Sequence, residues 1–169
     1  MNSYVALLRA VNVGGHGKLA MRDLVKLSED AGLLSVRTYI ASGNVVFRSD
    51  LQSDEVKGVL ERKLREFTGV DVPVMVRTAE QISACCEACP FQNELGNQVA
   101  VIFLDHLVDP DALMNVRDQG DEIAVLGDRE IYVYYPSGMG RSKLQIKAAA
   151  NGTARNMNTV RRLVSMANS

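Results

Sequence analysis

Apolar residues fall along this chain in short runs of two periods, and the alternation between those periods lays out the elements. Residues 4–11 read as a strand. Met21, Leu24, Val25, Leu27 and Ala31 then recur at the spacing of one helix face, and Gly32 stands where a C-terminal cap belongs. Residues 36–40 and 44–47 are two β-branched runs joined by Ala41, Ser42 and Gly43, the length and composition of a hairpin. A second helix follows, with Val56, Val59, Leu60, Leu64 and Phe67 on one face and Gly69 at its end. Residues 70–77 form a further strand. Pro73 removes a ladder donor inside that run, so the strand belongs at a sheet edge.

The order βαββαβ is that of the ferredoxin-like arrangement, whose fourth strand lies at an edge. Beyond it, Thr78 and Gln81 make a capping box for a short helix through Ile82, Cys85 and Cys89 that Pro90 stops. Residues 99–104 read as a strand, and Asp109-Pro110 is a cap followed by an N1 proline for a helix through Leu113 and Val116. Residues 122–126 and 130–135 pair across Gly127-Asp128, and helices are expected over 142–149 and 154–167. The expected class is α+β: two ferredoxin-like lobes, βαββαβ followed by a βαββα repeat, with C-terminal helices. The boundaries are residues 1–78 for the first lobe, 79–97 for a connecting helix and loop, and 98–169 for the second.

The 169 residues, 47% hydrophobic and 23% charged, are an ordinary globular composition with enough apolar surface for a sizeable core. Disordered and fibrous classes are excluded. The N-terminus lacks a basic region before its apolar stretch, and the longest apolar runs are strand-length, so a soluble cytoplasmic protein without membrane association is expected. Cys85, Cys86 and Cys89, an odd number in one segment, make a poor disulfide framework and fit a reducing compartment. Cys86 and Cys89 match CxxC. No second pair or nearby His completes a zinc set, so no metal or cofactor is expected.

The net charge of -1 hides an asymmetry: residues 1–22 carry +3, residues 141–169 carry +6, and the stretch between carries -10. If the ends meet, they form a positive concavity suited to an anion. Solvated helix faces are the alternative reading of the same charges.

Two glycine-rich loops carry candidate chemistry. Asn12, Gly14, Gly15, His16 and Lys18 follow the first strand, an arrangement that lets backbone N–H groups approach a phosphate, although the P-loop pattern fails at Asn12 and Leu19. Gly138, Gly140, Arg141, Ser142 and Lys143 repeat the design. Arg9 interrupts a strand face and is expected either to pair with an internal acid or to point into a cleft. Thr153, Arg155, Asn156, Asn158 and Thr159 form a polar cluster at the start of the last helix. No HExxH, GxSxG or Ser/His/Asp spacing marks a nucleophile, and a catalytic residue is not assigned. Tyr132 and Tyr134 share a strand face and are read as packing residues rather than a base-stacking platform.

The segments LLRAVNVGGHGKLAM, VRTYIASGNVVFRS, GMGRSKL and GTARNMNTVRRL resemble the bacterial family catalogued as domain of unknown function 1697. Members share an Arg-x-x-Asn-Val-Gly-Gly that falls on Arg9, Asn12, Val13, Gly14 and Gly15, and a Ser-Gly-Asn-Val turn that falls on Ser42, Gly43, Asn44 and Val45. Their Gly-Arg-Ser-Lys-Leu motif falls on residues 140–144, and Thr-Ala-Arg-Asn-x-Asn-Thr on residues 153–159. Met157 departs from the Trp common in members. The resemblance implies no activity.

The functional expectation is a site for a phosphorylated or otherwise anionic small molecule, such as a nucleotide, at a basic cleft between the lobes. It would be lined by Arg9, Asn12, Gly14, Gly15, Lys18, Ser42, Asn44, Arg141, Ser142, Lys143, Arg155, Asn156 and Asn158. Two alternatives stand beside it: a nucleic-acid-binding module that uses the basic ends, and a non-catalytic interaction protein.

Overall fold

The computed structural model describes residues 1–14 and 18–169. Strand β1 (Asn2–Leu8) leads to α1 (Met21–Asp30), the strands β2 (Leu34–Thr38) and β3 (Asn44–Ser49), α2 (Ser53–Thr68) and β4 (Val74–Thr78). These strands form an antiparallel sheet in the order β2-β3-β1-β4. Pro73 stands just before β4, and β4 is an edge strand as its lost donor requires. α1 and α2 lie on one face. Leu24, Leu27, Val56, Leu60 and Leu64 pack there against Tyr4, Ala6, Leu8, Val45, Phe47 and Val76. Gly32 and Gly69 take φ values of +85° and +79° past the ends of the two helices, the left-handed geometry of a C-terminal stop. Phe67, expected on the buried face of α2, is exposed.

Helix α3 (Ala79–Ala88) starts with the reciprocal box expected of Thr78 and Gln81: the Thr78 N–H donates to Gln81 Oε1 (2.9 Å), and the Gln81 N–H donates to Thr78 Oγ1 (3.1 Å). The second sheet contains β5 (Val99–Phe103), β6 (Ile123–Leu126), β7 (Glu130–Tyr134) and β8 (Thr153–Asn156), and α4 (Met157–Ala167) follows. Its order, β6-β7-β5-β8, repeats that of the first sheet with β5 in the place of β1. The chain divides into two compact units, one of residues 1–83 and 163–169, the other of residues 84–162. No described helix is long and apolar enough to cross a membrane.

Three expectations for the second sheet are corrected. Residues 109–116 are successive turns rather than a helix: Asp109 does cap, with its Oδ1 accepting from the Asp111 N–H (2.9 Å), and the Ala112 and Met114 N–H groups close turns onto Asp109 O and Asp111 O, but the chain is then drawn into an isolated bridge at Arg117 and no helix propagates. Residues 142–149 hold only a 3₁₀ turn at Lys147–Ala149, because Gln145 is the other half of that bridge. Residues 154–156, expected in the last helix, pair together with Thr153 with β5 and complete the sheet. A further correction concerns β1, which ends at Leu8, so Arg9 stands one residue past the strand and does not interrupt it.

Candidate functional site

The two sheets share an order but differ in their cover, and that difference leaves a cavity on the second sheet. On the first sheet, 10-residue and 16-residue helices fill the intervals between β1 and β2 and between β3 and β4. On the second, the corresponding intervals contain no α-helix. Their irregular segments are joined by two hydrogen bonds, Arg117 N–H to Gln145 O and Gln145 N–H to Arg117 O, both 2.9 Å. A packed helix presents a continuous apolar stripe to a sheet, whereas turns hold their side chains at uneven heights and leave space. The space amounts to about 1010 Å³.

Ile102 of β5 and the side chains of Val116, Leu144 and Ile146 give this cavity apolar walls. Tyr135, just past β7, adds an aromatic ring, and burial raises its hydroxyl pKa above the usual phenol range. Arg117 and Lys147 bring two cations from opposite sides of the Arg117–Gln145 bridge. Among the described residues no carboxylate lies within ion-pair distance of either. Asn115 and Gln145 supply uncharged polar groups. The arrangement has an oily floor and an unneutralised positive rim. Sequence reasoning counted Lys147 among the basic residues but missed Arg117, which sits in an acidic stretch and lacked any motif to mark it.

The Arg141, Ser142 and Lys143 segment leads directly into this wall at Leu144. Ser142 does not cap a helix: its Oγ–H donates to Glu122 Oε1 (2.5 Å), and the Leu144 N–H donates back to Ser142 Oγ (3.2 Å). The Glu122 Oε2 accepts from the Gly120 N–H (2.6 Å). The Ser142 hydrogen bond is the main reason that the Glu122 carboxyl lies below its ordinary pKa. Arg141 and Lys143 are exposed.

Several other predicted site residues make hydrogen bonds within the chain. Asn12 joins two loops: its Nδ2 donates to Leu19 O (2.9 Å) and Ala41 O (2.7 Å), while its Oδ1 accepts from the Leu19 N–H (2.8 Å). Both loops contain residues other than glycine at positive φ, Ala10 (57°) and Asn12 (54°) in one and Ile40 (52°) in the other. Asn44 is fully buried and donates to Tyr39 O (2.8 Å) and Ser42 Oγ (2.9 Å). Gly43 takes φ +86°, and a Cβ there would meet Val11 Cγ2 at 2.6 Å. Arg9 is half-buried, and its N–H donates to Pro73 O (3.0 Å). Gly14 and Lys18 are exposed, and Lys18 and Asn12 line a smaller cavity of about 450 Å³ before α1. Gly15 and His16 lie outside the described residues.

In the second unit, Arg155 is buried and donates from Nη1 to Thr153 Oγ1 (2.6 Å) and Ala154 O (2.9 Å). Desolvation lowers its pKa to about 10. Asn156 Oδ1 accepts from the Thr159 N–H (2.9 Å) and caps α4. Asn158 is exposed, with its amide against Gly96. Tyr132 donates to Cys85 O (2.7 Å), and Tyr134 packs on Phe91 with ring centroids 5.6 Å apart, so both tyrosines serve packing. All three cysteines are free thiols, and burial pushes the pKa of Cys86 and Cys89 up, away from reactive thiolates. Among the described residues no group of three or more His, Cys, Asp and Glu side chains is gathered as metal ligands.

The comparisons with known proteins add a family and a fold. A family model described as "Protein of unknown function (DUF1697)" matches residues 1–132, which include both first-unit motifs but not those at residues 140–144 and 153–159. The solved structure of the conserved bacterial protein SP0830 from Streptococcus pneumoniae is similar over 100% of this chain and 99% of its own, with a TM-score of 0.81 and 22% identity. No curated protein matches the chain.

Proposed function

The chain belongs to the DUF1697 family, whose function is unknown, and from that premise we propose that it binds an anionic small molecule with an apolar body, seated in the second-unit cavity. The observation that carries this reading is the pairing of Arg117 and Lys147, without acid partners, with a floor of Ile102, Leu144 and Ile146. An unneutralised cation beside low-dielectric walls gains more from an incoming anion than one in open water. The volume stands at the upper end of the ~300–1,000 Å³ typical of small-molecule sites. Arg141 and Lys143, on the segment running into the wall, add positive potential to the approach. The same reading takes both sheets as ferredoxin-like, the second with its helices replaced by the cavity's walls. The free thiols support a reducing, cytoplasmic setting.

A thermal-shift screen of organic phosphates and carboxylates tests the proposal. A ligand at about 100 times its Kd stabilises the folded protein by about 2.7 kcal/mol. Arg117→Ala and Lys147→Ala should each weaken binding about tenfold, while Lys18→Ala, at the smaller first-unit cavity, should leave it unchanged. A panel without any stabiliser, or stabilisation that survives the Arg117/Lys147 double variant, overturns the proposal. Binding of nucleic acid that falls steeply with salt would instead favour the alternative use of the basic segments.

A further inference from the structure

Each sheet has two edges, and three of the four edges are visibly closed. On β4, the hydrogen bond from the Arg9 N–H to Pro73 O fixes the ladder parity, so Val74 and Val76 turn their carbonyls outward. Both carbonyls are covered: Lys57 Nζ donates to Val74 O (2.8 Å) and Arg77 Nη1 to Val76 O (3.1 Å). On β8, the outward Ala154 carbonyl accepts from Arg155 Nη1. β2 is broken by a register shift between Leu34 and Arg37, with Ser35 at φ 52°. These are the devices by which sheets protect an edge.

β6 has none of them. Its register with β7 is regular from Ile123 opposite Tyr134 to Leu126 opposite Ile131, and its sequence Ile-Ala-Val-Leu contains neither proline nor charge. The hydrogen bond from the Gly127 N–H to Glu130 O fixes its parity, so Ala124 and Leu126 turn their N–H and C=O groups away from β7. Among the described residues these groups have no partner. Ile123 and Val125 are 50% and 37% exposed on one face. Acids flank the strand. Asp121 precedes it and Asp128 follows it, both exposed, and the Glu94 carboxylate, acting on Tyr134 across from Ile123, is the main cause that raises that hydroxyl's pKa.

We propose that the β6 edge is a docking site for an extended peptide segment of a partner protein, one that adds a strand beside Ala124 and Leu126, places apolar side chains over Ile123 and Val125, and carries Lys or Arg at its ends. Backbone pairing supplies the attachment, the two exposed apolar side chains set the register, and the flanking carboxylates select a basic partner over an acidic one. The edge is separate from the cavity lined by Arg117 and Lys147.

The test uses the full chain and two synthetic peptides with alternating Ile and Val, one with Lys at both ends and one with Glu. Hydrogen exchange is followed by NMR. The Lys peptide should slow exchange of the Ala124 and Leu126 amides at least about tenfold, the Glu peptide should not, and the effect should fall at ~1 M salt, where the Debye length is about 3 Å. Ala124→Pro removes an outward N–H that the ladder does not use and should abolish the protection. Val125→Lys, at an exposed position that leaves the backbone intact, should weaken binding of the Lys peptide about tenfold and keeps the test valid if the proline variant misfolds. The proposal is overturned if neither amide responds, if both peptides act alike, or if both amides are already protected in a dimer of the free chain.

Discussion

Single side chains in this protein do more fastening than their chemical types announce. Asn12, Asn44 and Ser142 are the residues a sequence reader reserves for ligands, and each has its hydrogen-bonding groups committed to neighbouring segments. Ser142 offers the clearest test. Because its hydroxyl holds the Glu122 carboxyl below the ordinary range, the folded state gains stability from this pair at pH above the unfolded carboxylate value of ~4.3, and loses it as pH falls through the depressed folded value. Ser142→Ala should bring the Glu122 titration, followed by carboxyl NMR, back up towards ordinary values and flatten the acid limb of the stability profile. An unchanged Glu122 titration would contradict the assignment. The motif residues were legible in the sequence, but their partners within the chain were not: a hydroxyl or amide has the same formula whatever it faces, and only the fold brings Glu122 to Ser142 or Ala41 to Asn12.

At the scale of elements, local signals were trustworthy wherever their partners were also local. The Thr78–Gln81 box, the glycines past α1 and α2, and the hairpin turns behaved as expected because each depends on residues within one turn. In the first unit only single residues departed, Phe67 and Arg9, whereas the misassigned elements all lie in the second unit, where distant pairing prevailed. Residues 153–156 have no strong helix objection, yet four ladder positions on β5 convert them to a strand, and α4 starts only after them. Asn156 then ends a strand and caps a helix at once. Asn156→Ala should cost about 1 kcal/mol in urea unfolding, whereas Asn156→Asp should retain most of it. A loss near zero for the alanine variant would show that the cap carries no weight.

On the scale of the whole molecule, the two units reuse one sheet order with different covers, and stability should follow the cover. The first sheet is sealed by two amphipathic helices, the second by turns fastened by a single bridge. Amides of β1 and β3 should therefore exchange at least about tenfold more slowly than those of β5 and β7, and a bound ligand in the second-unit cavity should narrow the gap. Equal protection in both sheets would show that the irregular cover packs as firmly as helices. The amino-acid sequence by itself determined the strands and helices of the first unit and the edge position of β4, because periodicity, proline and glycine act through the backbone of their own neighbourhood. The tertiary structure alone decided that the second sheet's strands are joined by irregular segments rather than helices, that Arg117 and Lys147 line one cavity with an apolar floor, and that the outward backbone groups of Ala124 and Leu126 have no partner among the described residues. Those outcomes depend on contacts between residues tens of positions apart, and no local pattern encodes which of several available partners a segment will pair with.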